Sequence, residues 1–303
     1  MSQNKLSPEE LMARRNKSGG QAVLEGVMMK SKERYAIAVR RADGSIVTEM
    51  HPTSSVRDKH RLLRLPLIRG VVSFVESMIL SYRTLMYSAQ AYGEEEEEPS
   101  KFEKWLDRKF GKSLTDVAMV IGSVLGVCLA IGLFLMLPSW LSKTILGGGE
   151  TWLRSLLAGV IKIAIFVLYI WGVSFMKDIR RTYEYHGAEH KTIFCYEAGE
   201  ELTPENVKKF RRFHPRCGTS FIFVMLILSI LVYALPFIPW DNMLLHALVK
   251  ILLLPIIVGV GFEFLMYAGK HNNLLVKILS APGLWMQRLT TKEPDLAQIE
   301  VAI

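Results

Sequence analysis

The sequence predicts an α-helical, multi-pass membrane protein with about four transmembrane helices and a small amino-terminal α+β region. Three observations carry this expectation. Half of the 303 residues are hydrophobic, and the mean hydropathy of +0.23 is too apolar for an ordinary soluble chain. The apolar residues gather in four blocks, at residues 117–137, 152–176, 219–240 and 243–268, each able to supply the ~20 apolar residues that a bilayer core requires. Ahead of the blocks, Asp43-Gly44 separates two short β-prone runs at 35–41 and 46–50, a strong hairpin signal.

Taken in order, residues 1–18 read as a flexible charged leader. They contain no apolar core, so no cleavable signal is expected. Residues 19–60 form a small cytoplasmic β-rich region, with an antiparallel sheet over roughly 20–55. Residues 61–115 hold amphipathic helices and an acidic linker. Within them, 64–92 carries Leu67, Val71, Val75, Met78, Leu85 and Met86 at helical spacing, interrupted by Arg64, Arg69, Glu76 and Arg83. Those charges favour an interfacial helix, or one packed on the membrane domain, over a span. The run 94–98 reads as a solvated linker and 101–115 as an amphipathic lead-in. Residues 116–268 are the four-helix transmembrane domain, broken by a His/Cys loop at 177–218, and 269–303 is a cytoplasmic tail.

Inside the loop, Lys177 to Glu197 contains no proline, so the second span is expected to continue out of the membrane until Gly199 ends it. Thr203-Pro204 starts a short basic helix, with Thr as cap and Pro in the first turn, running to about Phe213. His214-Pro215 ends it, and Gly218 turns the chain into the third span.

Charge placement sets the expected orientation. The loop between spans two and three carries nine Lys or Arg residues, from Lys177 to Arg216, whereas the connection between three and four carries none. Both termini are basic. The positive-inside rule then places the loop and both termini in the cytoplasm of a multi-pass cell-membrane protein. The net charge of +8 follows from this pattern without invoking nucleic acid. Cys128 falls within a span, and Cys195 and Cys217 fall in the cytoplasm, so no structural disulfide is expected.

The residues suited to chemistry cluster in the same loop. His186-Gly187-Ala188-Glu189-His190 places two imidazoles four residues apart, on one helical face and within reach of one metal ion. The pattern H-x-x-E-H is that of inverted zinc hydrolases, in which two His bind zinc and Glu serves as general base. Zinc lowers the pKa of a bound water toward ~7. A divalent metal, with zinc preferred, is therefore expected on His186 and His190, with Glu189 as the catalytic base. Further ligand candidates are His214, Cys217, Glu197 and Glu263. His214 and Cys217 together would close a structural site, whereas one of them alone would leave a position open for water. The alternative for the imidazoles is hydrogen bonding to headgroups or carboxylates. Glu263, an acid near the inner end of a span, suggests function by default, against a snorkelling or paired carboxylate. Lys162 either meets a headgroup or lines a polar path, and Lys250 is expected to snorkel outward.

Gly19-Gly-Gln-Ala-Val-Leu-Glu-Gly-Val-Met-Met, His186-Gly-Ala-Glu-His-Lys, Leu202-Thr-Pro-Glu-Asn, His214-Pro-Arg-Cys-Gly-Thr-Ser-Phe and the closing Ile299-Glu-Val-Ala-Ile together resemble the DUF1385 family. The resemblance covers nearly the whole chain. It implies a bacterial, membrane-embedded protein of a kind labelled a metal-dependent enzyme, and it supplies neither reaction nor substrate.

Two functions follow as expectations. One is a membrane-bound, metal-dependent hydrolase acting on a membrane-associated substrate, such as a peptide bond or a lipid headgroup. The other is a non-catalytic accessory or scaffold in protein export or membrane quality control, with the His/Cys loop as a structural clasp. Besides the bilayer, the second would engage a membrane-protein partner through the amino-terminal region, the 64–92 helix or the carboxyl-terminal tail, the alternative for the tail being a last strand or helix packed on the amino-terminal sheet. A transporter finds little support, since no broken-helix repeat is present.

Overall fold

The computed structural model describes residues 18–93, 113–147, 151–235, 242–271 and 273–303, with Leu11 and Arg14. The leader and the acidic linker expected at 1–18 and 94–98 lie almost wholly outside the described residues, as does most of the 101–115 lead-in. The chain is mostly helical, with one antiparallel sheet near its amino terminus. It divides into two compact units.

The first unit comprises residues 1–92, 170–225 and 255–303. Its sheet has four strands in sequential order: β1 (Gly19–Val23), β2 (Gly26–Lys30), β3 (Arg34–Arg40) and β4 (Ile46–Pro52). The β3–β4 hairpin forms where Asp43-Gly44 predicts it, in a register running from Arg40↔Ile46 to Arg34↔Pro52. The Asp43 carboxylate accepts from Ser45 N at 2.8 Å, and Gly44 takes φ +85°, which a Cβ would penalise. At the β1–β2 turn Glu25 is buried and ion-paired to Arg181, and the Tyr185 hydroxyl donates to it at 3.2 Å. Burial, seconded by the Glu25 charge, holds the Tyr185 hydroxyl well above the ordinary phenol pKa.

One face of the sheet packs on α1 (Ile68–Tyr92), where Val23, Met28, Ile37 and Val39 meet Leu80, Tyr87, Ala91 and Tyr92. The start of α1 packs on a helix of the hydrophobic blocks, α8 (Met243–Lys270), through small residues. A Cβ on Gly70 would lie 3.0 Å from Gly259 Cα, and Arg69 pairs with Glu263. The side of α1 bearing Val75, Met78, Ile79, Tyr82 and Leu85 is exposed.

The other principal helix of this unit is α5 (Lys177–Ala198). Here the structure departs from the sequence reading, because α5 is not a continuation of the second apolar helix. That helix, α4 (Thr151–Val173), ends with three residues between it and α5, and Met176 takes extended backbone (φ −69°, ψ 133°). Ser174 Oγ donates to the Trp171 carbonyl at 2.6 Å, a local side-chain bond that competes with the helical ladder. The carboxyl end is as expected, with Gly199 in the left-handed region at φ 76° and its N–H returned to the helix. Next, α6 (Pro204–Lys208) starts on the expected Thr203 cap but ends at Lys208, well short of Phe213.

The chain closes with α9 (Leu274–Thr290) and α10 (Leu296–Ala302). Seven residues do not hold a helix alone. Instead α10 is started by an Asp295/Gln298 capping box and buries Ile299, Val301 and Ala302 among Val27, Tyr185, Ala188, Cys195 and Val207. The tail is therefore part of the core, with Ile303 exposed beyond it.

The second unit comprises residues 93–169 and 226–254. It contains α2 (Ser113–Ile131), a π-helical turn at Gly132–Met136, α3 (Leu137–Leu146), most of α4, and parts of α7 (Gly218–Tyr233) and α8. Three stretches are long and apolar enough to cross a membrane: Ile121–Leu146, Trp152–Val173 and Leu244–Ala268. In the remaining block the apolar run is shorter, Phe221–Tyr233, and residues 236–241 lie outside the described residues.

Candidate metal centre

The candidate site lies wholly within the first unit and is assembled on α5. Helical geometry puts His186 and His190 one turn apart, with ring centroids 4.4 Å apart. Beyond α6, the His214–Cys217 turn brings Cys217 back, so that His186 Nε2 lies 3.2 Å from Cys217 Sγ. One ligand atom from each of His186, His190 and Cys217 lies within 4.8 Å of the others.

Backbone carbonyls orient both imidazoles. His186 Nδ1 faces the Thr290 carbonyl at 2.9 Å, and His190 Nδ1 faces the Arg212 carbonyl at 2.5 Å. Each Nδ1–H donates, so each Nε2 is left as a lone-pair donor, which is how metal-binding imidazoles are usually held. The Thr290 carbonyl reaches His186 because residue 187 is glycine: a Cβ there would lie 2.1 Å from the Lys292 carbonyl oxygen. Lys292 N also donates to the Tyr183 carbonyl at 2.8 Å, which lays the segment after α9 along α5.

Glu189, 3% exposed, faces β1. Gly20 N–H bonds to its carboxylate, and a Cβ at Gly20 would lie 3.1 Å from Glu189 Oε1. Its Oε2 is buried and has no hydrogen-bond partner among the described residues. Burial pushes the carboxyl up to about 7, against the opposing pull of His186 and the Gly20 N–H.

The other sequence-derived candidates stand apart from the three converging donors. His214 lies against His190 and Phe194, with ring centroids at 5.3 and 4.7 Å, and Arg216 N donates to its Nδ1 at 3.3 Å. Burial first, then the nearby His190 and Arg216, push its imidazole down to about 2 and keep it neutral. Glu197 pairs with Arg216 at 2.5 Å, and Glu263 pairs with Arg69. Each of these carboxylates is satisfied by a guanidinium.

Several supporting residues carry no signal in the sequence. Gln287, fully buried, accepts from His214 N and donates to its carbonyl, both at 2.7 Å. Lys191, also buried, bonds to the Lys208 carbonyl at 2.9 Å and pairs with Glu293. Carbonyl groups and long-range amide contacts leave no trace in residue type. The Gly19-Gly20 pair was legible as part of a motif, but its place beside Glu189 was not.

A sequence model of the family described as "Protein of unknown function (DUF1385)" matches residues 65–303. The chain is similar to "Uncharacterized protein YqhQ" of Bacillus subtilis (strain 168), 35% identical over 291 residues that cover 94% of this chain and 89% of that protein. No solved structure matches.

Proposed function

This chain belongs to the DUF1385 family, and we propose that it is a metal-dependent hydrolase working at the cytoplasmic face of a bacterial cell membrane on a membrane-associated substrate. The observation that carries this reading is the convergence of His186, His190 and Cys217 within 4.8 Å, with each imidazole turned by a backbone carbonyl. Two nitrogens and one sulfur suit zinc, a borderline-soft ion. Three protein donors also leave a fourth position for water, which is the arrangement of catalytic rather than closed sites. A bound metal would supply a water acidified to ~7, a nucleophile at neutral pH.

The chain's own residues would divide the remaining work. Thr290 and Arg212 fix the tautomers. Glu189, buried beside His186 and with one oxygen uncommitted, is placed to accept the proton of the attacking water. An open groove bordered by Gly20 and Gly218, neighbours of Glu189 and Cys217, supports access from solvent. In the membrane reading the four apolar blocks span the bilayer and the basic 177–216 segment lies inside, with both termini.

The test is the metal content of the detergent-purified chain. About one equivalent is expected in the wild type and none in the His186→Ala/His190→Ala variant. Glu189→Gln should keep its metal. A folded, metal-free wild type prepared without chelator would sink the reading. The same donors also tie α5 to the His214–Cys217 turn, which favours a second reading, a structural clasp in a non-catalytic accessory. There metal would again be bound, but cells carrying Glu189→Gln would behave as wild type.

A further inference from the structure

The turn that leads into α1 is apolar, exposed and seated beside a helix long enough to cross a membrane, and the metal reading makes no use of it. Its sequence is Arg61-Leu-Leu-Arg-Leu-Pro-Leu-Ile68. Leu62, Leu65, Leu67 and Ile68 are all exposed, Leu62 by 72%. The chain reverses at Leu65-Pro66-Leu67, where Leu67 takes φ 68°, a left-handed conformation that a residue with a Cβ seldom adopts. α8 holds this turn. A Cβ on Gly259 would lie 2.9 Å from the Leu67 carbonyl oxygen and 3.0 Å from its Cα, so the turn is seated against bare backbone. Further along α8, the Glu263 carboxylate accepts from Leu67 N at 3.4 Å and from Arg69 Nε at 2.7 Å.

Depth along α8 identifies what covers the leucines. The apolar run of α8 ends at Ala268, and Gly259 precedes that end by nine residues, roughly 13 Å at 1.5 Å per residue. Half of a bilayer's hydrocarbon core is about 15 Å. Ile256 and Val260, beside Gly259 on α8, are exposed as well, so the leucines continue the apolar surface of that helix. We propose that residues 62–68 form a membrane-inserted tip whose leucines lie among the acyl chains of the cytoplasmic leaflet, with α1 rising from it to the sheet. The inference rests on the membrane reading, in which α8 crosses the bilayer with its Ala268 end inside. Backbone N–H groups in lipid must be satisfied by protein, and those of the tip are. Leu65 N donates to the Leu62 carbonyl, Ile68 N to the Pro66 carbonyl and Arg69 N to the Leu65 carbonyl, residue 66 has no N–H, and Leu67 N meets Glu263. Charges at such depth must be paired, and Arg69 and Glu263 pair with each other. Arg64 turns back from the tip, its Nε donating to the Arg57 carbonyl at 2.9 Å. Lys59 and Arg61 precede the leucines and are exposed, which suits anionic headgroups above the inserted side chains.

The experiment puts one nitroxide spin label at a time on the purified full chain in vesicles of phosphatidylethanolamine and phosphatidylglycerol. Cys128, which is exposed, is first replaced by alanine, whereas Cys195 and Cys217 are buried and stay. Collisions with oxygen, which concentrates in lipid, are compared with collisions with a polar nickel chelate, which stays in water. Labels on Leu62→Cys, Leu65→Cys and Ile68→Cys should favour oxygen, as should the reference Ile256→Cys at the middle of the α8 span. Gln90→Cys, near the far end of α1, should favour the chelate. Three tip positions keep the test decisive if one variant does not fold. Tip labels that favour the chelate while Ile256→Cys favours oxygen would overturn the tip alone. Chelate preference at Ile256→Cys as well would overturn it together with the membrane reading. Poor access of both reagents to the tip would place a protein surface, such as a second copy, over the leucines and would overturn it too.

Discussion

Gly187→Ala is expected to destabilise the protein by about 3 kcal/mol, at the upper end of what overpacking costs, and, on the proposed metal reading, to weaken metal binding roughly 10–100-fold, the range seen when a group supporting a ligand is displaced. The added methyl would lie 2.1 Å from the Lys292 carbonyl oxygen. That atom is backbone, and it is held by the Lys292 N to Tyr183 carbonyl bond, so no side chain can swing aside. Relief requires the segment after α9 to move off α5, which carries the Thr290 carbonyl away from His186 Nδ1. Two readouts therefore fall together, the unfolding midpoint and the affinity for added zinc. Gly218→Ala is the control: it adjoins Cys217, but a Cβ there meets nothing within 4 Å. Equal behaviour of the two variants would remove the close approach from the account.

Ile299→Ala is expected to cost about 2–5 kcal/mol, the range for truncating a fully buried aliphatic side chain. Ile299 has no exposed surface and sits in the cluster with Val27, Tyr185, Ala188 and Val207. Ile303→Ala, four residues on and 44% exposed, should change stability by no more than about 0.5 kcal/mol. Chemical unfolding of both variants in one detergent checks the contrast. Comparable losses at the two positions would mean that α10 does not pack as described. Because α10 also bonds to α5, through Gln298 Nε2 to Glu184 Oε2 at 2.9 Å, its loss would loosen the helix that carries both imidazoles. The tail is thus a poor candidate for a free docking surface.

Elements whose causes are local are written in residue type. Asp43-Gly44 between alternating strands specified the β3–β4 hairpin, because a tight turn needs residues that accept left-handed backbone. Thr203-Pro204 and Gly199 specified helix ends, because caps are short-range chemistry. The spacing of His186 and His190 placed two imidazoles on one face, and of the four hydrophobic blocks read as spans three are helices long enough to cross a membrane. Which distant groups meet them depends on packing. Cys217 joins the two imidazoles while His214 packs against one of them, although both lie in the same turn. Glu197 and Glu263 are claimed by Arg216 and Arg69, and Lys250 turns inward to Ser139 instead of outward to the interface. The break at Ser174–Met176 and the carbonyls that set the imidazole tautomers belong to the same class. Helix propensity, capping and periodicity act over a few residues and are written in residue type. Ion-pair choice, carbonyl direction and the room that glycine leaves depend on which surfaces come within about 3 Å after folding, and one residue's identity does not encode that.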